Sequence, residues 1–74
     1  MSLAMGQEGF TYRVIGLQGR DQVRNQLNNL RFVPGAEVKV IKNSWTNFIV
    51  LLKQCRMGIG GKLAEKIMVE AYAA

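Results

Sequence analysis

The chain has no histidine, one cysteine and one proline in 74 residues. Each shortage excludes something. Without imidazole, the commonest general base and the commonest metal ligand are both missing. A lone Cys55 builds no disulfide framework, which favours a reducing, cytoplasmic setting. Long apolar runs are missing too, since none approaches the ~20 residues that span a bilayer, so no membrane insertion is expected. The opening Met1-Ser2-Leu3-Ala4-Met5 lacks a basic segment followed by a long apolar one, so it does not read as a secretory signal. Met1-Ser2-Leu3 reads equally as a native start or as a short added remnant. Acidic residues are scarce: five Asp and Glu stand against ten Lys and Arg, a net charge of +5. Such an excess suits nucleic acid, an acidic protein surface or an anionic membrane face. Here the cations (Arg13, Arg20, Arg24, Arg31, Lys39, Lys42, Lys53, Arg56, Lys62 and Lys66) never form a run, so an ordinary solvated surface is the favoured reading.

What is present is apolar. Hydrophobic residues make up 49 % of the chain, which argues for a folded domain over a disordered segment. The length suits one domain over residues 1–74. A chain this short buries only ~60 % of its unfolded surface, so its core is thin.

The stretch Leu27 to Val40 organises the rest. Val23, Leu27 and Leu30 recur at i, i+4 and i+7, one face of a helix. Pro34-Gly35 stops any helix and suits a type II turn, with Gly at the positive-φ position. Ala36, Val38 and Val40 then alternate with Glu37 and Lys39, as in a half-buried strand.

Taken in order, Gly6 and Gly9 bracket a turn. Phe10 to Ile15 reads as a strand, with Phe10, Tyr12 and Val14 on one face. Ile15 on the other face suggests that this face is partly covered. Gly16-Leu17-Gln18-Gly19 is a loop. Asp21 suits an N-cap or first-turn acid of a helix running to about Leu30. Three asparagines (Asn25, Asn28, Asn29) weaken that helix, so its docking must stabilise it. Strands follow over Glu37–Lys42 and Phe48–Lys53, joined by a hairpin loop over Asn43–Asn47. The nearly continuous apolar run of Phe48–Leu52 implies a strand covered on both faces or lying mid-sheet. Gln54-Cys55 turns the chain into a short strand, Arg56–Ile59. Gly60-Gly61 ends it, Lys62–Lys66 makes one helical turn, and Ile67–Glu70 is the last strand before a fraying tail, Ala71–Ala74. The sum is mostly β: a small SH3-like β-barrel of about five strands with one short inserted α-helix.

This order resembles the ferrous iron transport protein A (FeoA) family over nearly the whole chain. The residues that carry the resemblance are Ser2-Leu3-Ala4 with Gly9, Arg13-Val14-Ile15-Gly16, the helix Arg20 to Leu30, the turn Phe32-Val33-Pro34-Gly35-Ala36-Glu37-Val38, and Met57-Gly58-Ile59 with Leu63 to Val69. Val23, Leu27, Leu30, Pro34, Gly35 and Val38 form its structural signature here. Two positions depart from the family. Arg31 stands where a Gly is usual, and Gly60 where a basic residue is common. The resemblance implies a cytosolic accessory of ferrous iron uptake that binds and modulates the Fe(II) transporter FeoB, a permease with a cytosolic GTP-binding domain. Similar domains end iron- or manganese-dependent repressors. This sequence has no room for a helix-turn-helix, so it resembles the stand-alone form.

The residues themselves point to binding rather than chemistry. Cys55 and Met57 offer sulfur, and Asp21, Glu37, Glu65 and Glu70 offer oxygen, but one thiol without imidazole makes a poor transition-metal site. No metal or cofactor site is therefore expected, and Fe(II) enters only through the system served. Gly58-Ile59-Gly60-Gly61-Lys62-Leu63 lacks the Ser or Thr that a phosphate-binding loop needs after Lys. No catalytic residues are assigned. Two partner-binding patches are candidates: Arg20, Arg24 and Arg31 around the helix, and Trp45 with Phe48 at the hairpin. The alternative function is a basic barrel for single-stranded nucleic acid, using Trp45 with Lys42, Lys53 and Arg56. Uncovered edge strands also allow weak strand-mediated homo-oligomers.

Overall fold

The computed structural model describes residues 1–72. A 3₁₀ turn over Leu3–Met5 precedes strand β1 (Thr11–Leu17), helix α1 (Asp21–Asn29), β2 (Glu37–Asn43), β3 (Asn47–Leu52), β4 (Cys55–Gly60), the short α2 (Gly61–Ala64) and β5 (Ile67–Ala71). All five strands join one antiparallel sheet in the order β4-β3-β2-β1-β5. It is the expected small barrel, with the helix inserted after the first strand.

Alternation sets which side chains enter the core. Tyr12 and Val14 from β1, Val38 and Val40 from β2, and Phe48, Val50 and Leu52 from β3 are all buried, and each set is spaced by two residues. They pack with Leu27, Phe32, Ile59, Ala64, Ile67 and Val69. Val23 and Leu30 pack partly against this cluster, so α1 docks on the face read from its spacing. β3 lies inside the sheet between β2 and β4, as its apolar run implied, and its Ile49 and Leu51 are half-buried on the outer side.

The Pro34-Gly35 turn is type II in form. Ala36 N–H donates to Val33 O at 3.0 Å and Gly35 has φ 92°. It is also stitched to β1, since Gly35 N–H donates to Val14 O and Val14 N–H to Ala36 O, both at 2.8 Å. The end of α1 shows how Arg31 substitutes for a glycine. Arg31 takes φ 76°, its N–H donates to Asn28 O at 2.9 Å, and Phe32 N–H reaches back to Leu27 O at 3.0 Å. This is a Schellman motif, and Phe32 and Leu27, its customary apolar pair, are both fully buried.

Several sequence expectations need correction. Phe10 lies just before β1 and is 57 % exposed, because the strand begins at Thr11, beyond its side chain. Ile15 is exposed rather than covered. It is the extra residue of a bulge, where Val14 pairs with Val69 but Gly16 pairs with Met68. A second bulge in β2 leaves Ile41 unpaired between Val40 and Lys42. The β3–β4 turn is Lys53-Gln54, not Gln54-Cys55. Both residues have positive φ (51° and 67°), the signature of a two-residue type I′ hairpin, and Cys55 already pairs with Leu52. The tail is ordered further than expected: Ala71 ends β5, Tyr72 N–H donates to Thr11 O, and Arg13 stacks 4.8 Å from the Tyr72 ring centre. The rest of that tail, positions 73 and 74, lies outside the described residues. Finally, the N-terminal residues are part of the fold. Met1 exchanges two backbone bonds with Val69, Ser2 bridges Met68, and Leu3 is fully buried. They cover the free edge of β5.

Candidate functional site

The most distinctive exposed feature is the β2–β3 hairpin tip. Trp45, the chain's single tryptophan, is 77 % exposed. Its position is nonetheless defined by a set of short polar contacts. Trp45 N–H donates to the Asn43 Oδ1 at 2.9 Å, an Asx-type contact that a short polar side chain makes readily. Ser44 N–H and Ser44 Oγ both donate to Asn47 O, at 3.1 and 2.8 Å. Thr46 N–H donates to Ser44 O at 2.8 Å across Trp45, whose φ is 69°. That is a γ-turn with a bulky residue in the left-handed region, a conformation that persists only where neighbours over-determine it.

The neighbours come from two distant segments. From the N-terminal side, Asn43 Nδ2 donates to Gly6 O at 2.9 Å and Asn43 N–H donates to a Glu8 carboxylate oxygen at 2.8 Å. From the far side, Gly61 N–H donates to Thr46 O at 2.8 Å. Gly61 sits so close to the tip that a Cβ there would lie 2.5 Å from Trp45 O. In the sequence, Gly60-Gly61 marks only the end of a strand; nothing local signals that the glycine admits a loop some fifteen positions earlier. Two shallow clefts flank the indole. One, of about 320 Å³, is lined by Met5, Gly6, Glu8 and Asn43; the other, of about 470 Å³, by Thr46, Gly61, Lys62 and Glu65. Met5 is itself 66 % exposed.

The structure separates Trp45 from Phe48. Phe48 points inward with Val50 and Leu52 and is 1 % exposed, so it belongs to the core and offers no surface for a partner. The helix patch is not one cluster either. Arg20 caps the start of α1 and Arg31 follows its end, so they stand roughly 15 Å apart along the axis. Arg24 is paired with Asp21 one turn away, which neutralises it. Arg20 and Arg31 remain exposed.

The residues named for a nucleic-acid platform also part. Lys42 lies at the tip end of β2, while Lys53 and Arg56 lie at the opposite end of β3 and β4, roughly 20 Å along the strands from Trp45. Cys55 is exposed, whereas Met57 pairs with the buried Val50 and turns inward. Among the described residues, no three of His, Cys, Asp and Glu come together to hold a metal. No helix among them is long and apolar enough to cross a membrane.

Comparison with known proteins fits this architecture. Curated proteins gave no match. Solved structures did. A crystal structure of an iron uptake regulatory protein, FeoA, superposes with TM-score 0.91 at 25 % identity, covering 97 % of each chain. A FeoA protein from Chlorobium tepidum superposes with TM-score 0.87 at 25 % identity, over 99 % of this chain and 71 % of that one. FeoA from Stenotrophomonas maltophilia, described as a prokaryotic SH3 domain protein and complexed with zinc, superposes with TM-score 0.83 at 23 % identity, over 96 % and 90 %. The FeoA domain family matches residues 1–71, nearly the whole length over which the barrel, its Schellman-capped helix and its closing strand have been described. The chain belongs to the FeoA domain family.

Proposed function

We propose that this chain serves ferrous iron uptake as an accessory that binds the Fe(II) transporter FeoB and biases it, or its GTP-binding domain, between states. The observation that carries this reading is membership of the FeoA domain family over residues 1–71. The printed descriptions of its structural relatives, an iron uptake regulatory protein and a candidate ferrous iron transport activating factor, support it. The role is recognition. A small barrel with an exposed tryptophan on a backbone-pinned tip suits binding better than bond-making, because the loop that carries the aromatic loses little freedom on docking. Trp45 is therefore the anchor, and the flanking clefts receive the partner's side chains. Arg20 and Arg31 add charge at the periphery.

The test is the affinity of detergent-solubilised FeoB for the wild-type chain, for Trp45→Ala and for Arg20→Glu with Arg24→Glu. Loss of an aromatic anchor is expected to weaken binding by about 30-fold or more. The double reversal should weaken it less, since Arg24 is already paired. All variants should melt like wild type. Absence of wild-type binding would refute the transporter reading; equal binding by Trp45→Ala would remove the tip from the contact.

A further inference from the structure

Strand register gathers cations that the sequence scatters. Partners across an antiparallel ladder project to the same side. Lys39 on β2 is opposite Leu51 on β3, and Leu51 is opposite Arg56 on β4. Lys42 is opposite Ile49, which is opposite Gly58. Lys53 follows in the turn between β3 and β4. Lys39, Lys42, Lys53 and Arg56 are all exposed, and Ile49 and Leu51 lie half-buried among them. The outer side of β2–β3–β4 is thus one patch, with Lys39 and Arg56 about 10 Å apart across two strands.

One carboxylate shares this side: Glu37, two residues before Lys39 on β2, lines the same groove as Lys39, Leu51 and Lys53, so four cations against one acid leave the patch at +3. β3 and β4 contain no acidic residue. Arg13 on β1 is the ladder neighbour of both Glu37 on β2 and Glu70 on β5. Asp21 pairs with Arg24, Glu8 holds the Asn43 N–H, and Glu65 lines the cleft beside Trp45. Among the described residues, Arg24–Asp21 is the sole ion pair, so none of the four cations of the patch is held in one.

From this we infer that the outer face of β2–β3–β4 adsorbs to an anionic lipid bilayer. The composition selects that occupant. Three of the four cations are lysines, which are depleted at protein interfaces, where arginine is preferred for positioned, forked pairing. A flexible ammonium needs only a diffuse negative potential, which anionic headgroups supply. A single-stranded nucleic acid would need aromatic faces among the cations, and β2–β3–β4 present none there, Phe10 and Tyr72 lying beside Glu37 at the β1 margin and Trp45 beyond the tip end. Each net positive charge near such a surface raises partitioning about fivefold, so a patch of +3 raises it by roughly 10² over a neutral membrane. Adsorption would confine the domain to a layer beside a membrane and leave the Trp45 tip at its rim.

The experiment is sedimentation with vesicles of phosphatidylcholine alone or mixed with phosphatidylglycerol, which contain no transporter and so test this inference separately from FeoB binding. Wild type is expected to prefer the anionic vesicles and to be released by added salt. Lys39→Gln with Arg56→Gln should lower partitioning about 25-fold. A control of equal charge, Arg20→Gln with Arg31→Gln, should lower it much less. Circular dichroism verifies that each variant is folded. Equal binding to both vesicle types, or equal loss in both double variants, would overturn the inference. So would a face variant that loses FeoB or single-stranded DNA while wild type ignores the anionic vesicles, and that result would reassign the face.

Discussion

Replacing Arg31 by glycine should make the protein more stable, although it deletes a whole side chain. Arg31 sits at the left-handed position that ends α1, with φ 76°. An L-residue there is less stable than in the right-handed region by roughly 1–2 kcal/mol, because Cβ crowds the following carbonyl. Glycine removes that strain but gains freedom in the unfolded chain, which offsets roughly 0.5–1 kcal/mol. The hydrogen bonds of the motif are all backbone, from Arg31 N–H to Asn28 O and from Phe32 N–H to Leu27 O, so glycine keeps them. The Arg31 side chain is exposed and forms no ion pair among the described residues. The net expectation is about 0.5–1 kcal/mol of added stability, or about 3–6 °C in Tm for a domain of this size. Thermal and urea unfolding followed by circular dichroism would measure it. Arg31→Val is the contrast: a β-branched residue resists positive φ, so it should lower Tm. A glycine variant that melts no higher than wild type, with a valine variant unchanged, would refute the claim that this site stores backbone strain.

Three further outcomes follow from the same geometry. Gly61→Ala should destabilise by about 1–3 kcal/mol, since its Cβ would meet Trp45 O at 2.5 Å and the contact is backbone that cannot step aside; the emission of the single tryptophan should shift with it, and unaltered emission and Tm would show that the clamp is not needed. Lys53→Asn with Gln54→Gly should stabilise by about 1 kcal/mol, because asparagine and glycine suit the two positive-φ sites of the type I′ turn; chemical denaturation would register it. Phe32→Ala should lose about 3–5 kcal/mol, as Phe32 is fully buried beneath the helix end, and a domain this small should be largely unfolded by near-ultraviolet circular dichroism.

Features that depend on near neighbours are legible in the chain itself. Pro34-Gly35 admits few conformations, so the type II turn was legible from two residues. Period-two alternation in Tyr12–Val14 and Val38–Val40, and the 3.6-residue spacing of Val23, Leu27 and Leu30, fixed which sides face the core, because burial of one face is the dominant drive in a small sheet. The same alternation misled at Phe10, where the strand had not begun, and at Ile15, where a bulge adds a residue and no period is kept. Phe48 stands beside an exposed hairpin loop, which suggests a partner surface, yet its parity with Val50 and Leu52 commits it to the core.

Features that depend on pairing between distant segments emerge only in the folded molecule. Leu3 becomes core only because Met1 and Ser2 pair with β5. Trp45 is held outward because Gly61, brought in by β4 and α2, leaves room for the tip and supplies an N–H to it. Lys39, Lys42, Lys53 and Arg56 share a face because antiparallel register and one bulge place them there, while Arg20 and Arg31, closer in sequence, are held apart by the length of a helix. Local sequence sets φ, ψ and period; which surfaces meet, and so which charges and aromatics act together, follows from long-range register that no short window contains.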